Sequence, residues 1–128
     1  MDMSPSPSPH DPPLLDLRQL RSFVVLGHEN FLELLEDMKG DMPKSFAAVR
    51  EAMLTGDAEE TSAVAHSSRG ILSYFGCVAL NQRLAVIEAL KTVDPSQAEI
   101  VFNELTALWA ESVVAIKEWE SGVPEFNS

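Results

Sequence analysis

The stretch VAHSSRGILSYFG, residues 64–76, combines residue types that suit phosphoryl chemistry on an imidazole. In a helix, His66, Arg69, Gly70 and Ser73 follow one another at spacings that place them on neighbouring parts of one surface. A glycine inside a helix costs about 1 kcal/mol relative to alanine, so Gly70 suggests close approach by a partner or ligand. A guanidinium near the ring could offset phosphate charge. The pattern therefore indicates a phosphorylated histidine.

The position of His66 on the predicted helix decides whether its ring is buried. At 100° per residue, His66 lies about 160° from the centre of the apolar side, which Val64, Ile71 and Phe75 mark. We therefore expect an exposed ring and not a core histidine, with an idle surface histidine as the alternative. The polar stripe around the ring comprises Glu59, Ser62, Arg69, Gly70 and Ser73.

The composition of the chain excludes several classes of function. The 128 residues carry a formal net charge of −11, which disfavours nucleic acid and anionic membranes as partners. Cys77 is the only cysteine, and with three scattered histidines it offers no disulfide framework and no metal site. No apolar run is long enough to span a bilayer, and the N-terminus does not resemble a signal peptide. We expect a single-domain cytoplasmic protein.

The helical pattern divides the chain into three parts. Residues 1–13 are rich in proline and serine and are predicted to be a disordered tail. Residues 14–121 are predicted to form a helical bundle, and residues 122–128 a C-terminal tail. Asp16 can cap a short first helix that ends near Gly27.

The next helix begins near His28 and is long. Its apolar positions recur at steps of three and four without losing phase, although Pro43 lies within it. We therefore predict one kinked helix, which ends at Gly56. The positions of the apolar seam are Phe31, Leu35, Met38, Met42, Phe46, Val49 and Met53.

Three more helices are predicted over about residues 57–75, 78–91 and 95–120, with Gly76 ending the first of them and Asp94 capping the last. Short links favour antiparallel neighbours. The fold class is therefore all-α, an up-and-down antiparallel four-helix bundle with a short extra N-terminal helix. The inward positions are Leu80, Leu84 and Ile87 on the fourth helix and Phe102, Leu105, Leu108, Trp109, Val113 and Ile116 on the last.

The segment AHSSRGILSYFGCVAL resembles the signature of histidine-containing phosphotransfer (HPt) domains, and the resemblance extends over roughly residues 14–119. Arg69 stands where the family usually has lysine. The residues that match the pattern are His66, Gly70, Gly76, Cys77 and Leu80.

The resemblance implies a phosphorelay carrier without kinase activity of its own. His66 would accept a phosphoryl group from a receiver-domain aspartate and pass it to another receiver, while Arg69 offsets phosphate charge. Ser62, Gly70 and Ser73 would lie on the docking surface for the receiver. The implied partners are response-regulator receiver domains and a hybrid histidine kinase. The chain would be a monomer without a cofactor, and the receiver would supply Mg²⁺.

Glu88 is a further candidate because of its level in the predicted bundle. His66 lies ten residues before Gly76 and Glu88 twelve after it, so an antiparallel turn at Gly76 places them side by side. HPt domains often carry Glu or Gln here, hydrogen-bonded to the ring nitrogen that does not react. A solvated surface glutamate is the alternative.

Two residues depart from the HPt pattern. Ser68 stands where leucine is usual, and we expect its hydroxyl to bond to the Val64 carbonyl. Ile71 stands where a small residue is usual and is predicted to point into the core. These departures leave open a degenerate HPt-fold bundle that binds a receiver or histidine kinase without being phosphorylated.

Overall fold

The structure is a computed structural model that describes residues 13–25 and 27–122. These residues form an all-helical protein of five packed helices, and no strand occurs among them. The predicted tails, apart from Pro13 and Gly122, lie outside the described residues. The elements are α1 (Leu17–Val25), α2 (His28–Leu54), α3 (Ala58–Tyr74), α4 (Val78–Glu88), a 3₁₀ turn (Pro95–Gln97) and α5 (Ala98–Ser121).

The prediction of one long helix through Pro43 is confirmed, because α2 continues across that residue. The bend itself stays a prediction. All seven positions of the apolar seam are buried, and they form the central line of the core. The 3.6-residue period held its phase across the proline because burial on both sides stabilises the helix more than one missing hydrogen bond destabilises it.

Glycines end α2 and α3 in the same way. Gly56 and Gly76 have φ values of 72° and 63°, in the left-handed region that favours glycine. In each turn the glycine N–H and the next N–H donate to carbonyls of the last helical turn, the pattern of a Schellman motif. Asp57 then caps α3 by accepting from Glu60 N at 2.9 Å. Both turns reverse the chain within three residues.

Helix α1 covers the end of the protein where α3 meets α4. Asp16 caps it, accepting from Arg18 N at 3.0 Å, as predicted. The Asp16 N–H donates to the Gly76 carbonyl at 2.7 Å, which ties α1 to the turn after α3. Leu20 and Val24 of α1 are buried in the core.

Contacts at both ends show that α2 and α5 run antiparallel. His28 Nε2, at the start of α2, lies 2.9 Å from Glu120 Oε1 near the end of α5. Toward the other end of α2, Arg50 Nη1 lies 3.7 Å from Glu99 Oε1. The same guanidinium lies 4.1 Å from the centre of the Phe102 ring. The two helices therefore stay in contact along most of their length.

The fourth helix is shorter than predicted, because α4 ends at Glu88 and not near residue 91. The Ser62 hydroxyl of α3 donates to the Glu88 carbonyl at 2.8 Å, which gives that carbonyl a partner outside its own helix. Leu90 N donates to Ile87 O at 3.2 Å and tightens the last turn. Leu90 and Lys91 are exposed, so no core contact extends the helix.

The prediction that Ile71 points into the core is wrong, since its side chain is 36% exposed. The buried line of α3 is Thr61, Ala65, Ser68 and Leu72, so its centre lies about 60° round the helix from the predicted one. Hydrophobicity alone misplaced the centre because two members of the line carry hydroxyls. Thr61 Oγ1 donates to Asp57 O at 2.7 Å, which satisfies that hydroxyl within the helix.

None of the helices within the described ranges is long and apolar enough to cross a membrane.

Candidate functional site

His66 projects from the middle of α3, and its side chain is 75% exposed, as the sequence predicts. The ring is held at one point, because Nδ1 lies 2.5 Å from Glu88 Oε1 on α4. The antiparallel turn at Gly76 brings the two residues level. The predicted pairing of His66 with Glu88 is therefore present in the structure.

The charge of Glu88 determines which ring nitrogen carries the proton. Arg69 Nη1 contacts the second oxygen of Glu88, and this hydrogen bond, followed by the one to His66, lowers the pKa of the carboxyl. An ionised carboxylate only accepts hydrogen bonds, so Nδ1 of the neutral ring must be the donor. The lone pair is then on Nε2, which has no hydrogen-bond partner in the residues that the structure describes.

Arg69 lies beside the ring but is already engaged. Besides its contact with Glu88, its Nε donates to Asn81 Oδ1 at 2.7 Å. Its side chain remains 38% exposed, so part of the guanidinium faces solvent next to His66. Asn81, on α4, was not identified from the sequence, although it lies five residues after Gly76 and Arg69 lies seven before it.

The two serines predicted for the docking surface are half-buried, and both hydroxyls bond to backbone. Ser62 bonds to the last turn of α4, as described above. Ser73 Oγ donates to the Arg69 carbonyl at 3.0 Å and accepts from Asn81 Nδ2 at 3.2 Å. Both serines therefore help to join α3 to α4 beside the ring.

Open space lies on both sides of the imidazole. A Cβ atom placed on Gly70 would meet nothing within 4 Å. One cleft of about 230 Å³ is lined by His66, Arg69, Gly70, Ser73 and Asn81. A second, of about 730 Å³, lies toward the start of α3 and is lined in part by Ser62, His66 and Glu88. A partner can therefore reach the ring from either direction.

Cys77 takes no part in this site. It is 1% exposed, and burial raises the pKa of its thiol to about 12. A thiol with that pKa is not a nucleophile near neutral pH. Among the described residues, no group of three or more His, Cys, Asp or Glu side chains could hold a metal ion.

No family model, curated protein or solved structure matches this chain. The motif around His66 and the geometry of α3 and α4 are therefore the features that indicate a function.

Proposed function

We propose that this protein is a phosphorelay carrier, in which His66 accepts a phosphoryl group from a receiver-domain aspartate and passes it to another receiver. The observation that carries the proposal is the arrangement of the ring. His66 is exposed, its Nδ1 is held by an ionised carboxylate, and Nε2 points away from that contact. A nucleophile held in one tautomer by a neighbouring base is the arrangement that covalent catalysis needs.

In the proposed step the Nε2 lone pair attacks the phosphorus of the acyl phosphate. A P–N bond forms as the P–O bond to the aspartate breaks, and the aspartate leaves as a carboxylate. The proton on Nδ1 stays in place, and Glu88 balances the positive charge that the ring acquires. Transfer to a second receiver is the reverse step. Mg²⁺ bound by the receiver would neutralise charge on the transferring group.

The helix arrangement supports the finer description of the fold. Each of α2, α3 and α4 packs against the next of the four long helices, and α5 packs back against α2. The cycle closes with antiparallel contacts, as an up-and-down four-helix bundle requires. Helix α1 is the short extra element. We propose this bundle as the HPt-like scaffold that presents His66.

The surface around the ring supports docking by a receiver. Gly70 carries no side chain to obstruct a partner, while Ser62 and Ser73 flank the ring with small side chains. The proposed partners are response-regulator receivers and a hybrid histidine kinase, met by a monomeric carrier in the cytoplasm. Orientation of the reacting groups is the main contribution such a scaffold makes to the rate.

The test is phosphorylation by a receiver charged with acetyl phosphate, read as acid-labile, base-stable phosphate on this chain by intact mass. His66→Gln should abolish uptake without unfolding the protein. His28→Gln is the control, because it makes the same substitution at a half-buried histidine that pairs with Glu120 away from α3 and α4, and it should be phosphorylated normally. Undiminished uptake by His66→Gln would falsify the proposal.

One observation favours the degenerate alternative, a bundle that binds a receiver or histidine kinase without taking up phosphate. Glu88 and Asn81 both hold Arg69, so its charge is partly balanced before any phosphate arrives. The phosphorylation assay described above separates the two functions when the affinity of this protein for the receiver is measured alongside phosphate uptake. Binding without phosphate on any residue identifies the degenerate protein.

A further inference from the structure

The side chain of Asn81 makes three hydrogen bonds to residues beside His66. Its Oδ1 accepts from Arg69 Nε at 2.7 Å, and its Nδ2 donates to the Arg69 carbonyl at 3.3 Å and to Ser73 Oγ at 3.2 Å. If the Asn81 amide were flipped, its NH₂ group would face the Arg69 Nε–H and its oxygen would face the Arg69 carbonyl, so neither hydrogen bond could form. The orientation of the amide is therefore determined by its partners.

We infer that Asn81 is a positioning residue for His66, because it fixes the Arg69 guanidinium that holds Glu88 against ring Nδ1. The contacts form one chain from Asn81 to Arg69, then to Glu88, then to His66. Each link uses a different atom of its residue, so no link competes with the next. The role of this series of hydrogen bonds in phosphoryl transfer rests on the proposed function, but its effect on the tautomer of the ring does not.

The residue type at position 81 follows from the same contacts. An aspartate would place a second anionic oxygen beside the Arg69 carbonyl and would compete with Glu88 for the guanidinium. An alanine would leave Arg69 Nε without its acceptor, so the guanidinium could leave Glu88 for solvent. An amide supplies one acceptor and two donors without adding charge. With the neutral amide of asparagine at position 81, Arg69 keeps an acceptor for its Nε–H while Glu88 remains the carboxylate that pairs with it.

The experiment reads the tautomer of His66 directly from the ¹⁵N shifts of its ring nitrogens in the full-length protein, from about pH 5 to about pH 10, a range that includes the ordinary imidazole pKa of about 6.5. The neutral wild-type ring should be mainly protonated on Nδ1. Asn81→Ala should lower the ratio of the Nδ1–H to the Nε2–H form roughly fivefold, the effect of losing about one hydrogen bond. Asn103→Ala, the same change at an exposed position of α5, should leave the ratio unchanged.

A double-mutant cycle with Arg69→Ala tests the route of the effect. Arg69→Ala should shift the tautomer ratio by itself, and adding Asn81→Ala should then change it no further. The inference is overturned if Asn81→Ala leaves the ratio at the wild-type value. It is also overturned if Asn81→Ala shifts the ratio equally with and without Arg69.

Phosphate uptake measured on the same samples separates this inference from the proposed function. Tautomer shifts as expected in a chain that takes up no phosphate would overturn the carrier function and support the role of Asn81. Uptake on His66 with an unshifted ratio in Asn81→Ala would support the carrier and overturn the role of Asn81.

Discussion

Gly70 offers a test in which stability and function should change in opposite directions. Gly70 lies inside α3, exposed, with nothing within 4 Å of the position of an added Cβ. Alanine in a helix interior is favoured over glycine by about 1 kcal/mol, and no steric cost opposes that gain here. Gly70→Ala should therefore raise the free energy of unfolding by about 1 kcal/mol, or the melting temperature by roughly 4 °C.

The same methyl group should hinder the partner. In the proposed function, a receiver that reaches His66 would pack over the bare turn at Gly70, and overfilling a close-packed contact costs about 1–3 kcal/mol. We expect phosphoryl uptake to slow roughly tenfold, a change of about 1.4 kcal/mol in the barrier. Urea unfolding followed by circular dichroism measures the first effect, and the time course of phosphorylation measures the second.

Gly40 is the matched control for both measurements. It is also an exposed helical glycine with nothing within 4 Å of an added Cβ, but it lies on α2. Gly40→Ala should stabilise the protein by a similar amount and leave uptake unchanged. Equal uptake rates for the two variants would refute the role of Gly70 in docking. A destabilised Gly70→Ala would refute the open geometry around the residue.

Three other predictions follow from the turn, the carboxylate and the thiol. Gly76→Ala should lower the free energy of unfolding by more than about 2 kcal/mol in urea titrations, because alanine is strained at φ 63° and its Cβ would lie 2.5 Å from the Asp16 carbonyl oxygen. Hydrogen bonds from Arg69, and to a smaller extent from His66, lower the pKa of Glu88 in the folded protein. These contacts therefore stabilise the protein above the unfolded pKa of about 4.3, and this stability is lost as the pH falls through the folded pKa. Glu88→Gln should therefore be less stable than wild type at pH 7, and the difference in the free energy of unfolding should shrink as the pH falls below about 4.3, as unfolding curves over this pH range will show. Cys77, buried and with a pKa of about 12, should resist iodoacetamide at pH 8 in the native protein and react after unfolding, as intact mass will show.

The parts of the fold that the sequence predicted best depend on one dominant physical signal. The seam of α2 combines apolar residues with an unbroken helical period, so burial and periodicity agree. The turns at Gly56 and Gly76 were predictable because left-handed backbone favours glycine. Glu88 was predictable because an antiparallel turn places it level with His66.

The buried line of α3 and the role of Asn81 were not predicted, because both depend on hydrogen bonds of polar side chains that a hydrophobicity pattern does not register. Thr61 and Ser68 are buried because their hydroxyls are satisfied by carbonyls one turn earlier, which moved the buried line and left Ile71 exposed. The antiparallel turn at Gly76 that identifies Glu88 also places Asn81 near the level of Arg69. Asn81 was overlooked because a neutral amide carries no charge that would mark it as a partner for Arg69.

The two departures from the motif, Ser68 and Ile71, both lie away from the ring of His66. Ser68 is 2% exposed, but its hydroxyl donates to the Val64 carbonyl at 3.0 Å, as expected, so the core contains no unpaired polar group there. Ser68 lies about 160° and Ile71 about 140° round the helix from His66, so neither is on the side of α3 that holds the ring. The geometry needed for attack by Nε2 therefore does not depend on either residue. Ile71 is next to Gly70 on the exposed surface, so in the proposed function its side chain would contact the receiver and leave the nucleophile unaffected.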